Sequence, residues 1–158
     1  MGNIVTTLRA NGYDAWGTDA ATRGNTGKPW WFGTRDFLAE KRTLYDNICF
    51  NPPFFRAKGA EQFIRHALSI CRGKVAAFVD IRFLAGGERA AGLFAELPPT
   101  RIWIIAPRVS CPPGAYLAAG GKAGNGSSDW AWLIFDKTAP RSPYPQLGWA
   151  RSDLARAA

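Results

Sequence analysis

The residues best suited to chemistry are Asn51-Pro52-Pro53-Phe54, which follow directly on the apolar run Tyr45–Phe50. Two successive prolines fix φ twice and remove two backbone donors, so the neighbouring carbonyls are held in place and free. The Asn51 side chain adds a second acceptor at the same point. Two acceptors can hold one –NH2 group and draw its lone pair out of conjugation as it attacks a methyl donor. Phe54 offers a ring face on which a planar, extruded base or amide can stack. The plainer reading is a rigid turn, and Pro-Pro does recur at Pro98-Pro99 and Pro112-Pro113. Only the first copy, however, stands between an apolar strand and an amphipathic helix.

Other reactive groups are sparse. Cys49, Cys71 and Cys111 are widely spaced, and His66 is the lone histidine, so no zinc-binding spacing can be written and no metal is expected. Cys49 and Cys71 lie in apolar segments and read as small buried hydrophobes. His66 sits in a helical pattern and reads as structural.

The elements that must carry the motif alternate between strand and helix. Ile4, Val5 and Leu8 mark one face of a short helix, with Gly12 suited to its end. Residues 14–19 read as a strand closing on Asp19, and Trp30–Phe32 as a second, followed by a connection containing Asp36. Residues 60, 63, 64, 67, 68 and 71 recur at helical spacing, and Gly73 is expected to end that helix. Val75–Val79, Ile102–Ile105 and Ala131–Phe135 read as buried strands, and Gly86–Leu97 as a further helix. The long Pro107–Asp129 segment reads as a loop, of a length that usually carries function or is disordered. The pattern predicts an α/β domain with a mostly parallel sheet, where ligands gather beyond the carboxyl ends of the strands. Asp19, Asp36 and Asn51 are expected at such ends.

The stretch from Tyr45 to Phe54 resembles the catalytic motif of AdoMet-dependent amino-methyltransferases, written D/N/S-P-P-Y/F/W, and the likeness runs from the first residues to about Asp136. It is nearest to DNA adenine-N6 methyltransferases of the phage and bacterial type. The resemblance implies a Rossmann-like sheet with an antiparallel last strand, to which the Ala131–Asp136 run corresponds. It implies an amine clamp and stacking group at Asn51, Pro52, Pro53 and Phe54. S-adenosyl-L-methionine would be the cofactor, with Asp19 on its ribose, Asp36 and Phe37 at its adenine, and Gly2 as the last glycine of a Gly-rich turn. The family's first strand lies mid-sheet, between its second and fourth, and carries that turn. Here it is expected to be missing, which leaves two unpaired edges: either the chain is truncated or mis-started, or the domain has lost cofactor binding, or a partner chain or dimer fills the gap.

A net charge of +8 on 158 residues suits a polyanionic partner, DNA or RNA. Arg56 and Lys58 after the motif, with Arg108 and Lys122 in the long loop, are the expected phosphate contacts. Trp30, Trp31 and Trp130 are candidates for base stacking. The expected organisation is a methyltransferase-like domain over 1–138 and a proline-containing surface tail over 139–158. No apolar run spans a membrane and the first residues lack a signal-peptide pattern, so a cytoplasmic location is expected. The competing expectations are a non-catalytic nucleic-acid-binding domain derived from such an enzyme, or an amino-methyltransferase acting on a protein glutamine, on cytosine N4 or on RNA.

Overall fold

The computed structural model describes residues 2–41, 45–53, 58–122, 124, 126 and 128–152 (for Lys58 and Ala118 the backbone alone). The chain forms two compact units. One holds Met1–Glu40 and Cys111–Gly124, the other Lys41–Ser110 and Asn125–Ala158.

In the first unit, helix α1 spans Asn3–Ala10. Gly12, at φ +83°, ends it: the Gly12 N–H donates to the Arg9 carbonyl and the Tyr13 N–H to Leu8, a Schellman closure. Strands β1 (Gly17–Asp19) and β2 (Trp31–Thr34) pair in parallel, with Gly17 opposite Trp31 and Asp19 opposite Thr34. The small core centres on Trp30 and Val5, both buried. Gly2 and Gly17 lie against the Trp30 indole. The long loop is not wholly irregular, because Gly114–Ala118 forms a short helix in this unit.

The second unit is built on five strands: β3 (Tyr45–Phe50), β4 (Cys71–Asp80), β5 (Arg101–Ala106), β6 (Trp130–Asp136) and β7 (Gln146–Arg151). Their order is β3-β4-β6-β5-β7, and only β6 runs against the other four. A mixed, mostly parallel sheet is thus as expected, with two differences. The antiparallel strand is β6, inserted between β4 and β5, and is not the last in the chain. The last is β7, which pairs in parallel with β5 although Gln146–Arg151 reads as tail. Its inward side has Gly148 against the Trp103 ring, while Leu147 and Trp149 stay exposed, so it lacks the buried alternation that marks a strand in sequence.

Helix α2 spans Lys58–Ile70. Ala60, Ile64 and Ala67 fall on one face, are fully buried, and lie against β4. The Glu61–Arg65 pair at 2.9 Å supports the helix's outer face. Across the sheet, register aligns Val75 with Phe135, Ala77 with Leu133 and Val79 with Ala131, making one continuous apolar face. Burying side chains such as Ile64 and Leu133 contributes roughly 1.5–3 kcal/mol each.

Gly73 does not end α2. The helix stops at Ile70, β4 begins at Cys71, and Gly73 lies inside the strand where β4 closes on the Asp46 carbonyl beside a register shift. The expected Gly86–Leu97 helix is broken at Gly92 into α3 (Gly87–Ala91) and α4 (Leu93–Glu96), preceded by a 3-10 turn over Ile81–Ala85. No described helix is long and apolar enough to cross a membrane.

Candidate functional site

Strand β3 ends at Phe50, opposite Ala77 on β4, and the chain leaves the sheet at Asn51. Asn51 is exposed, Pro52 buried and Pro53 half-buried. The fixed φ of Pro52 and its burial together hold the departing backbone against the sheet, with Asn51 exposed at the rim. Phe54 and Arg56, expected as stacking group and phosphate contact, lie outside the described residues, as does the Lys58 side chain.

Four charged residues share the same carboxyl edge. Asp80 closes β4 and accepts from Arg82 through Nε at 2.8 Å and Nη2 at 2.7 Å. It also accepts from the Arg82 N–H at 2.9 Å, capping the 3-10 turn. Those bonds hold the Asp80 carboxyl below its ordinary range against the opposing effect of burial. Arg108, two residues past β5, donates to Asp129, just before β6, through Nε at 2.6 Å and Nη2 at 3.3 Å. The Ile81 N–H donates to the Asp129 carbonyl at 2.9 Å and joins the two pairs. Beside the Asp80–Arg82 pair is a cavity of about 240 Å³, lined by Asp80, Ile81, Arg82, Ser128 and Asp129. Trp130 pairs with Asp80 across β4 and β6, and its indole stacks on Phe78 with centroids 4.9 Å apart.

In the first unit, Asp19 and Asp36 lie at the carboxyl ends of two paired parallel strands. The Arg35 N–H donates to the Asp19 carbonyl at 2.9 Å, which ties the two ends together. The Asp19 carboxylate is engaged: it accepts from the Ala21 N–H at 3.0 Å and from Arg23 Nε at 3.2 and 3.1 Å. Asp36 is exposed and accepts from the Leu38 N–H at 3.0 Å, capping the 3-10 turn that starts at the half-buried Phe37. Gly2 has φ +91° at the start of α1, a conformation suited to glycine. Lys122 is exposed in the same unit. Asp19, Asp36 and Asn51 therefore all stand at carboxyl ends, but on the strands of two separate sheets.

Burial corrects the stacking candidates. Trp30 is 7% exposed and Trp130 9%, so both rings serve packing, and Trp31 is half-buried. The exposed aromatics include Trp16 and Phe32, edge to face at 6.3 Å, with Arg9 over the first ring and Arg35 over the second. Sequence does not show the Trp16–Phe32 pair, because short strands give too few residues to mark the outward face, nor the Asp80–Arg82 fork, which forms where β4 passes into a 3-10 turn. Cys49 is half-buried, and burial pushes its thiol up to about 11, consistent with a packing role. Among the described residues no group of three or more His, Cys, Asp and Glu gathers as metal ligands. The sequence matches no protein-family model and no curated protein.

Proposed function

We propose that this chain is the catalytic part of an AdoMet-dependent amino-methyltransferase whose substrate is the N6 amine of adenine in DNA. The observation that carries the reading is Asn51-Pro52-Pro53 leaving β3 at the carboxyl edge of a mostly parallel sheet, with Pro52 buried and Asn51 exposed. The Asn51 side-chain oxygen and the Pro52 carbonyl accept the two amine hydrogens, which turns the nitrogen lone pair toward the incoming carbon. AdoMet, held by Asp19 and Asp36, would supply that carbon as a sulfonium methyl, departing as the neutral thioether while the amine's extra proton passes to solvent, so no covalent adduct with the protein would be needed. Positioning then accounts for most of the catalysis.

The residues of the first unit fit the cofactor. Gly2 has the backbone a tight turn before a helix needs, and Asp19 and Asp36 offer carboxylate acceptors at adjacent strand ends. One feature opposes it: the Asp19 carboxylate is shared with Arg23, which must yield to a ribose. Among the described residues β1 and β2 form a sheet of their own and β3 is an edge strand. Open edges on these strands fit the resemblance's missing central strand, supplied by another segment or another chain.

The Arg23 contact and the divided sheet favour a second reading, a nucleic-acid-binding domain without catalysis. Calorimetric titration of AdoMet, with Asp36→Ala as control, separates the two. Binding that the substitution removes, followed by transfer of labelled methyl to adenine-containing DNA, supports the enzyme. No heat at millimolar AdoMet, with DNA binding retained, supports the binding domain.

A further inference from the structure

We propose that Arg82 and Arg108, held by Asp80 and Asp129, form a clamp for a backbone phosphate of nucleic acid at the sheet edge that carries Asn51; this rests on the nucleic-acid reading above. Each guanidinium spends its Nε and one Nη2 hydrogen on its own carboxylate, in a two-point fork with limited freedom of rotation. The other Nη donors lie on the outward edge, and the side chains are 83% and 60% exposed. A fork fixed in advance loses less conformational entropy on meeting a phosphate than a free arginine does. The two forks are linked through Asp129, whose charge also acts on Arg82. Ser128 and Arg82 both line the adjoining cavity, where the Ser128 hydroxyl adds a donor.

The Asp80–Arg82 part of the site lies at the end of β4, the strand next to the motif's, and the Arg108–Asp129 part lies beyond it, at the ends of β5 and β6. Asp80 is three residues past Ala77, whose β3 partner Phe50 immediately precedes Asn51. Phosphate contacts set the register of a nucleic acid without reading its sequence. A clamp here would fix the backbone while a neighbouring base reaches Asn51.

The test measures fluorescence anisotropy of labelled DNA and RNA oligonucleotides of one sequence against the full chain, from low to moderate salt. Arg82→Gln and Arg108→Gln are each expected to weaken binding about three- to tenfold and to lower the salt slope by about one. Arg82→Lys should keep the slope and lose part of the affinity. Arg72→Gln, at the opposite end of β4, should change neither, and unaltered melting temperatures confirm folding. Wild-type affinity and slope in both glutamine variants, or an equal loss in Arg72→Gln, overturns the clamp and leaves nucleic-acid binding standing. No binding of either oligonucleotide by the unaltered chain overturns both. Clamp-dependent binding without methyl transfer overturns only the catalytic reading.

Discussion

Gly2 sits against Trp30 with no room for a side chain: a Cβ built there would collide with the far edge of the indole. Its φ of +91° is also one that L side chains rarely adopt. The same glycine that opens α1 therefore shapes the core of the first unit. Gly2→Ala is expected to destabilise that unit by about 2–4 kcal/mol, overpacking and backbone strain acting together. Amide hydrogen exchange should show lost protection across α1 with β4 and β6 unchanged.

Arg23 holds the carboxylate that the cofactor reading needs. Both partners are about one-third exposed, so the pair contributes only about 0.2–1 kcal/mol. If Asp19 meets a ribose, Arg23→Ala should tighten AdoMet binding by up to about fivefold. Weaker binding in calorimetry would remove Asp19 from the ribose role.

The Cys49 thiol, pushed up to about 11 by burial, is almost wholly protonated at pH 8. A thiolate fraction of roughly one in a thousand predicts very slow reaction with a disulfide reagent in the native chain. Peptide mapping should find Cys49 labelled only after denaturant is added. Rapid native labelling would show that it is not packed as described.

Two carboxylates link stability to acid. Asp80 is held below its ordinary value of 3.8 first by Arg82, and Asp136 first by its hydrogen bond from the Thr138 hydroxyl at 2.6 Å. Groups with lowered folded values contribute stability that is complete above the ordinary value and lost as pH falls through the lower one. Asp80→Asn and Asp136→Asn should each cost about 1 kcal/mol at neutral pH. Both should flatten the fall in melting temperature below pH 4. An unchanged acid limb would show these acids are unshifted.

Removing β7 should have a cost that its polar flanks conceal. A chain ending at Thr138 leaves β5 as an open edge, with Trp103 stripped of Gly148. It is expected to form larger species than the full chain does on size-exclusion chromatography. Identical elution and melting would show that β7 adds nothing to the sheet.

Much of the fold is legible in the residues. The α2 spacing, the short apolar runs of β4, β5 and β6, and the motif after β3 are local patterns, fixed by periodicities of 3.6 and 2. The motif's proline chemistry is local too, and so is the placing of Asp19 and Asp36 at strand ends. Gly73 and β7 went unread because their meaning lies in a partner strand: Gly73 is needed where β3 closes in, and β7 where Trp103 needs a flat neighbour.

By itself, the sequence determined the segments that become α2, β4, β5 and β6, the rigid Pro52-Pro53 step after β3, and a net charge of +8. Tertiary structure decided the strand order, with β6 reversed between β4 and β5. It also decided that Trp30 and Trp130 are core, that Arg23 pairs with Asp19, and that the Arg82 and Arg108 pairs are joined by the Ile81–Asp129 backbone bond. Local pattern follows from backbone geometry and burial of the nearest residues. Pairing between residues tens of positions apart depends on which surfaces meet, and no short window of sequence contains that.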